Sequence, residues 1–201
     1  MNIKITTWNI NSIRIRLNLI EDFIFKESPD ILCLQECKSM VDQIPKDKFA
    51  ELGYPYFVGR GQKSYNGIAI FSKLPLVDSG SVDFASLGHA RHVCGTLENG
   101  LNIHNFYFPA GGDIPDQNLN LKFSQKLNYI SEVEEWFKIN PPNNTILLGD
   151  LNIAPSIYDV WDHKKLSNIV SHTPIEINYL EKLKKSSSWV DTVRSDKNKI
   201  K

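Results

Sequence analysis

The residues best suited to chemistry lie in Thr145-Ile146-Leu147-Leu148-Gly149-Asp150-Leu151-Asn152. There an apolar, β-forming run stops at a glycine, and a carboxylate and a carboxamide follow two residues apart. If strand geometry persists through that point, alternate side chains face one way, so Asp150 and Asn152 project together and Leu151 turns back into the core. An anion beside a neutral amide suits holding a hydrated hard cation, orienting a water, or both. Gly, Asp and Asn are also turn residues, so the stretch taken alone reads more readily as a turn.

Other apolar strands end in polar groups that a core strand does not need. The first ends in Asn9 and Asn11, the second in Glu36, and a run through Phe106-Tyr107-Phe108 leads into Pro109-Ala110-Gly111-Gly112. Strand ends beside loops are where α/β and sandwich enzymes place chemistry. Two carboxylates with amides match a magnesium or manganese site, where water completes the octahedron. No Cys/His cluster has zinc spacing, and neither a P-loop glycine run nor a G-x-S-x-G elbow is present. Each residue also has a plainer reading. Asn9 can cap a helix, Glu36 can be an exposed strand-end charge, Tyr107 a half-buried aromatic, and Arg91 a surface cation.

The elements that must position these groups are legible. Ile3 to Trp8 alternates as a strand, and Ser12 or Asn11 can cap a helix from Ile13 to Lys26 that carries Leu17, Ile20, Phe23 and Ile24 at helical spacing. Ser28-Pro29-Asp30 breaks it before the apolar strand Ile31-Leu32-Cys33-Leu34, completing a β-α-β unit. Asn66-Gly67 before Ile68 to Phe71 signals a tight hairpin turn, and Val93 to Leu97 pairs with Leu101 to Phe108 around Asn99-Gly100. Asn118 to Lys138 reads as a helix with Leu121, Leu127, Ile130, Val133 and Phe137 on one face. Thr173 caps another, with Pro174 at its first position.

At 201 residues, with 41% hydrophobic and 23% charged residues and zero formal net charge, the chain fits one soluble domain spanning 1–201. Zero charge does not support a protein that coats nucleic acid, yet it leaves room for a locally basic groove. No apolar run reaches transmembrane length and the start lacks a signal-peptide centre, so no membrane partner and a cytoplasmic location are expected. Cys33, Cys37 and Cys94 show no ligand spacing, and Cys33 reads as a small core hydrophobe in a reduced compartment. The basic run Lys182, Lys184, Lys185, Arg194, Lys197, Lys199 and Lys201 reads as a solvated face or frayed tail. The five histidines (His89, His92, His104, His163, His172) read as structural, and Trp8, Trp136, Trp161 and Trp189 as core or interface aromatics.

Five segments in this order resemble the exonuclease III / apurinic endonuclease family, within the endonuclease–exonuclease–phosphatase superfamily. They are Thr7-Trp8-Asn9-Ile10-Asn11-Ser12-Ile13-Arg14, Pro29-Asp30-Ile31-Leu32-Cys33-Leu34-Gln35-Glu36, Tyr65-Asn66-Gly67-Ile68-Ala69-Ile70, Tyr107-Phe108-Pro109-Ala110-Gly111-Gly112 and Leu148-Gly149-Asp150-Leu151-Asn152-Ile153-Ala154-Pro155. The resemblance implies a four-layer α/β sandwich of two packed mixed β-sheets flanked by helices. It also implies Mg²⁺-dependent hydrolysis, with Mn²⁺ as a substitute, of double-stranded DNA at abasic sites and 3′ ends in base-excision repair. On this resemblance Glu36, Asn9, Asp150 and Asn152 hold or support the metal. Tyr107 bonds the phosphate or leaving oxygen, Asp150 activates or positions water, Asn152 orients the phosphate, and Arg91, Asn66 and Gly111 face the DNA. Ala110 departs from relatives that carry an amide there.

After Trp189-Val190-Asp191-Thr192-Val193-Arg194, relatives continue through an aromatic Trp-x-Asp-Tyr-Arg strand, Arg-Ile-Asp and Ser-Asp-His. None of these precedes the final Lys201. The expectation is therefore a C-terminally truncated monomer with an incomplete second sheet, severely impaired alone and completed by a missing C-terminal fragment. Two competing readings are a phosphomonoesterase or phospholipid diesterase of the same superfamily, and a non-catalytic DNA-binding remnant.

Overall fold

Ile31 and Cys33 pack into one apolar cluster while Leu32 and Leu34 pack into another, the period-two division of a strand buried on both faces. The structure is a computed structural model that describes residues 2–192 and Arg194. Lys197, Lys199 and Lys201 of the basic run lie outside the described residues. The chain divides into two compact units, Met1–Phe108 with Asn143–Leu151, and Pro109–Pro142 with Asn152–Lys201.

In the first unit, strands β1 (Ile5–Asn9), β2 (Ile31–Gln35), β3 (Tyr56–Arg60) and β4 (Ile68–Ser72) form a mixed sheet of order β1-β2-β4-β3. β1 and β2 run parallel, joined through helix α1 (Leu17–Glu27), as the β-α-β pattern predicts. Strands β5 (Leu76–Gly80), β6 (His92–Leu97), β7 (Asn102–Tyr107) and β8 (Thr145–Asp150) form a second mixed sheet in that order, with β7 and β8 parallel. Ile31, Cys33, Ile68 and Ile70 of the first sheet share a core with Leu76, Val93, Leu97 and Ile103 of the second. On the outer face, Leu32, Leu34 and Phe71 pack against Ile20 and Ile24 of α1 and Phe49 of α2 (Lys46–Glu51). Each such side chain stabilises the fold by about 1.5–3 kcal/mol.

The space between the sheets also holds a polar clamp. Gln35 Nε2 donates to Asn105 Oδ1 at 2.6 Å, and Asn105 Nδ2 donates to the Ala69 and Leu34 carbonyls at 2.9 and 3.2 Å. Both residues are buried, so leaving either unpaired would cost about 1–3 kcal/mol. The bond can form in one register only, and it lies one residue before Glu36 and two before Tyr107.

In the second unit, α3 (Leu121–Ile139) is capped by the Asn120 side chain and buries Phe123, Leu127, Ile130, Val133 and Phe137. It is joined there by the short α4 (His163–Leu166) and by α5 (Pro174–Ser186). α5 begins with the predicted Thr173 cap, completed into a capping box by Glu176. No helix among the described residues is long and apolar enough to cross a membrane.

Several expectations are corrected. α1 starts at Leu17 with Arg16 as its N-cap, because Asn11 and Ser12 adopt left-handed φ values of 47° and 91° that divert the chain first. Asn66-Gly67 does not close a two-residue hairpin, because Arg60 pairs with Ile68 and residues 61–67 all lie between the strands. Leu121 is 72% exposed, since it lies in the first turn of α3. Of the tryptophans read as core or interface, Trp161 is 76% exposed, which leaves the core reading aside for it, whereas Trp8 packs on Phe23 and Trp189 on Phe137.

Gly149, where the apolar run of β8 ends, adopts φ 133°, and a Cβ there would meet the Phe106 carbonyl oxygen at 1.9 Å. β7 and β8 can pair closely beside Asp150 only because this side chain is missing. Gly149→Ala is expected to lower stability in urea unfolding by roughly 2–4 kcal/mol, one of the larger single-residue effects.

His92 and His104 form a buried relay. The Val82 N–H donates to His92 Nδ1 (3.0 Å), so His92 Nε2 carries the proton toward His104 Nδ1 (3.0 Å), and His104 Nε2 faces Cys94 Sγ (3.4 Å). Burial, aided by His104 and Arg60, pushes His92 down to about 3, and burial pushes His104 down to about 4. Their contribution to stability is complete above the free imidazole value of 6.5 and is lost as falling pH protonates the unfolded chain alone. Calorimetry should therefore show Tm level above about pH 7 and falling between about pH 6.5 and 5, before carboxylates titrate. A level Tm across that interval would contradict neutral buried rings.

Candidate active site

Four side chains from four strand ends of the first unit meet in one hydrogen-bonded group. Asn9, the last residue of β1, donates from Nδ2 to Glu36 Oε1 and to Asp150 Oδ2, each at 2.8 Å. Tyr107, at the end of β7, donates its hydroxyl to the same Glu36 Oε1 at 2.8 Å. Asp150 closes β8 directly opposite Tyr107 in the parallel register. Asn9 Oδ1 accepts the Asn11 N–H at 3.2 Å, so the amide orientation is fixed by its partners. The nitrogen of Asn9, rather than its oxygen, faces the two carboxylates. In this arrangement Asn9 spaces and orients the pair.

Glu36 follows β2 in a left-handed conformation, φ 53°, that a β-carbon makes unfavourable. Flanking backbone bonds hold it. Ser12 N–H donates to the Glu36 carbonyl at 2.7 Å, and Cys37 N–H and Lys38 N–H donate to the Gly67 and Asn66 carbonyls, each at 2.9 Å. Strain of about 1–3 kcal/mol persists where the surroundings over-determine it, as they do here. Asn66, marked for DNA, is instead buried, with Nδ2 on Gln62 Oε1 at 2.9 Å, and it props the Glu36–Lys38 turn.

Burial would raise the Glu36 carboxyl, but hydrogen bonds from Asn9, Lys38 and Tyr107 outweigh it and hold the group below its ordinary value. Tyr107 is pushed well above the usual phenol range by burial and by its bond to the Glu36 carboxylate, so it remains a protonated donor. Arg91, marked for DNA, lies with its guanidinium 4.6 Å from the Tyr107 ring centroid and donates to the Tyr107 carbonyl at 3.2 Å, bracing the tyrosine.

The strand alternation that would align Asp150 with Asn152 does not extend that far. β8 ends at Asp150 and Asn152 turns to φ 49°, a conformation asparagine tolerates. Asn152 opens a segment of the second unit, where its carbonyl accepts from Lys126 Nζ at 2.6 Å. Lys126 is fully buried there against Glu176, at 2.5 Å, and also reaches the Ala110 carbonyl at 3.3 Å. Gly111, also marked for DNA, has φ 93°, and the place of a side chain is taken by Lys126 and Val170.

Among the described residues no group of three or more His, Cys, Asp or Glu could hold a metal ion. Two carboxylates supported by an amide exclude a zinc-type cage but match the sparse oxygen set with which magnesium keeps its waters. The Lys38 ammonium, 2.9 Å from Glu36 Oε2, occupies a place where a second cationic charge would be favoured.

Next to Glu36 lies a cavity of about 630 Å³ lined by Asn11, Arg14, Ile15, Arg16, Lys38 and Lys63 among others. Sequence reasoning missed this basic site because its cations come from three separate segments, residues 14–16, 38 and 63. The alternation of Arg14 and Arg16 around Ile15 was the one local sign.

The model of the Endonuclease/Exonuclease/phosphatase family matches residues 6–192. Exodeoxyribonuclease III of Haemophilus influenzae is 30% identical over 164 residues, which cover 78% of this chain and 60% of that protein. The structure of an AP endonuclease from Archaeoglobus fulgidus superposes with a TM-score of 0.87 at 28% identity, covering 99% of this chain and 76% of that one. A 3′ phosphatase from Neisseria, bound to product DNA hairpin, superposes with a TM-score of 0.81 at 29% identity, covering 92% and 71%. The chain thus spans about three fifths of the length of the Haemophilus protein.

Removing the Tyr107 hydroxyl takes away one of the donors that lower the Glu36 carboxyl. In Tyr107→Phe, carbon-detected NMR titration should show Glu36 ionising at higher pH than in the wild type. An unchanged titration would mean that this hydrogen bond does not stabilise the carboxylate.

Proposed function

We propose a function from one premise: the chain belongs to the endonuclease/exonuclease/phosphatase family. Within that family we read it as an exonuclease III-like hydrolase of double-stranded DNA, acting at abasic sites and 3′ ends in base-excision repair, as a cytosolic monomer. The observation that carries this reading is the joint hold of Asn9 on Glu36 and Asp150, with Tyr107 on Glu36, beside a cavity lined by Arg14, Arg16, Lys38 and Lys63. Carboxylates alone repel a phosphodiester. The neighbouring cations supply the attraction that brings one in.

The donor set suits Mg²⁺, with Mn²⁺ as a substitute, held by Glu36 and Asp150 with Asn9 setting their spacing. When bound, such an ion neutralises phosphate charge and makes a nearby water more acidic. Asp150 accepts the proton of the attacking water. Tyr107, kept protonated, donates to a phosphate or leaving oxygen whose charge grows in the transition state. The names of the relatives, an exodeoxyribonuclease III, an AP endonuclease and a DNA-bound 3′ phosphatase, support DNA rather than a lipid or soluble phosphoester.

The test is incision of an abasic-site duplex and release of phosphate from a 3′-phosphate duplex, with Mg²⁺ and with EDTA. Turnover should require the metal and fall by about a thousand-fold or more in Asp150→Asn, since members of a cooperating catalytic set are not additive. Turnover that survives EDTA, or that Asp150→Asn leaves at the wild-type rate, would sink the reading. Cleavage of a soluble phosphoester with none of either DNA would point to another branch of the family.

A further inference from the structure

Ile15 is 81% exposed, while Ile13, two residues earlier on the same turn, is fully buried. A single exposed isoleucine is ordinary. This one is unusual in its company, because Arg14 and Arg16 flank it and it lines the cavity that also receives Lys38 and Lys63. A surface built only to attract phosphate gains nothing from an apolar branch among its cations.

The turn that presents Ile15 is held firmly. Ile10, Ser12 and Ile13 N–H groups donate to the Gln35, Glu36 and Cys37 carbonyls at 3.0, 2.7 and 3.1 Å. The Arg16 guanidinium donates to the Asn11 carbonyl, and Lys38 Nζ donates to Asn11 Oδ1 at 2.5 Å. The segment is therefore tied to the residues on either side of Glu36. An apolar group fixed in this way can be pressed against a ligand without a further ordering cost.

Resting on the DNA reading above, we propose that Ile15 is a wedge that buries itself against a base step of bound duplex while the flanking cations grip the two backbones. Apolar side chains among arginines and lysines act in this way on duplex DNA, partly unstacking the step they meet. The consequence is substrate choice. A stacked duplex offers Ile15 an edge to bury against, whereas a loose single strand offers the cations alone, so the wedge favours duplex.

Binding in EDTA separates this from catalysis. Fluorescence anisotropy would compare duplex and single-stranded oligonucleotides of one sequence, and a duplex carrying 2-aminopurine would report unstacking. The wild type should bind duplex more tightly and raise 2-aminopurine fluorescence. Ile15→Ala should weaken duplex binding on the order of 10-fold, from the lost apolar burial. It should leave single-strand binding and the salt slope unchanged and abolish the fluorescence rise. Ile15→Leu should restore both, and Arg14→Ala should instead reduce the salt slope by about one. Wild-type binding with Ile15→Ala indistinguishable from it would overturn the wedge and leave the DNA reading standing. Failure of the wild type to bind duplex at low salt would overturn both. Because Ile15 lies outside the core, its variants should keep the wild-type Tm, which a folding check confirms.

Discussion

The hydrogen bond from Gln35 Nε2 to Asn105 Oδ1 joins the two sheets beside their shared apolar core, and the meeting of Glu36 with Tyr107 depends on it. Apolar contacts such as Ile31, Ile70, Val93 and Ile103 hold two sheets together but tolerate sliding, because dispersion and burial have no direction. A buried amide has direction. Asn105 must reach Gln35 and the Ala69 and Leu34 carbonyls together, and a shift by one residue would bury unpaired polar groups. Its satisfaction fixes where β2 and β7 end relative to each other. Glu36 and Tyr107, just beyond those positions, come within 2.8 Å as a result.

From that anchor the site is assembled by backbone that departs from regular geometry. Glu36, Lys38, Asn11 and Ser12 all have positive φ, and their N–H and C=O groups are shared among three segments. Strained turns clamped on each side present side chains with little freedom, which suits a constellation that must favour one charge distribution over another. The glycine at 149 serves the same end from below, letting β8 approach the Phe106 backbone so that Asp150 reaches the Asn9 amide. The cationic turn of residues 14–16 follows directly on Ser12 and Ile13, whose N–H groups donate to the Glu36 and Cys37 carbonyls, so the proposed DNA grip adjoins the support of Glu36.

Much of this was legible in the residues. The β-α-β unit, the hairpin around Asn99-Gly100 and the Thr173 cap follow from local period and turn chemistry, and they stand where those rules place them. The convergence of Asn9, Glu36, Tyr107 and Asp150 was readable because each ends an apolar strand, so burial of the strand leaves its polar terminus at an edge. What local pattern could not convey was backbone sign and long-range assembly. Asn152 leaves the strand through a left-handed turn that no alternation announces, and Asn66 is consumed inside a loop rather than offered to a ligand. Arg91 stacks on Tyr107, and the basic cavity draws on residues far apart in the chain. Gln35 was read only as part of the Gln35-Glu36 strand end, and Asn105 drew no notice because its partners lie on other strands.

The central claim of the proposed function is that this clamped group of strand ends seats a divalent cation. Isothermal titration of the wild type and Glu36→Gln with Mn²⁺ at low salt addresses it directly, since the substitution preserves shape and removes one charge. The account predicts Mn²⁺ binding in the wild type, lost or greatly weakened in Glu36→Gln, with both proteins folded in the absence of metal. Equal Mn²⁺ affinity in the two proteins, or none in either, would contradict it.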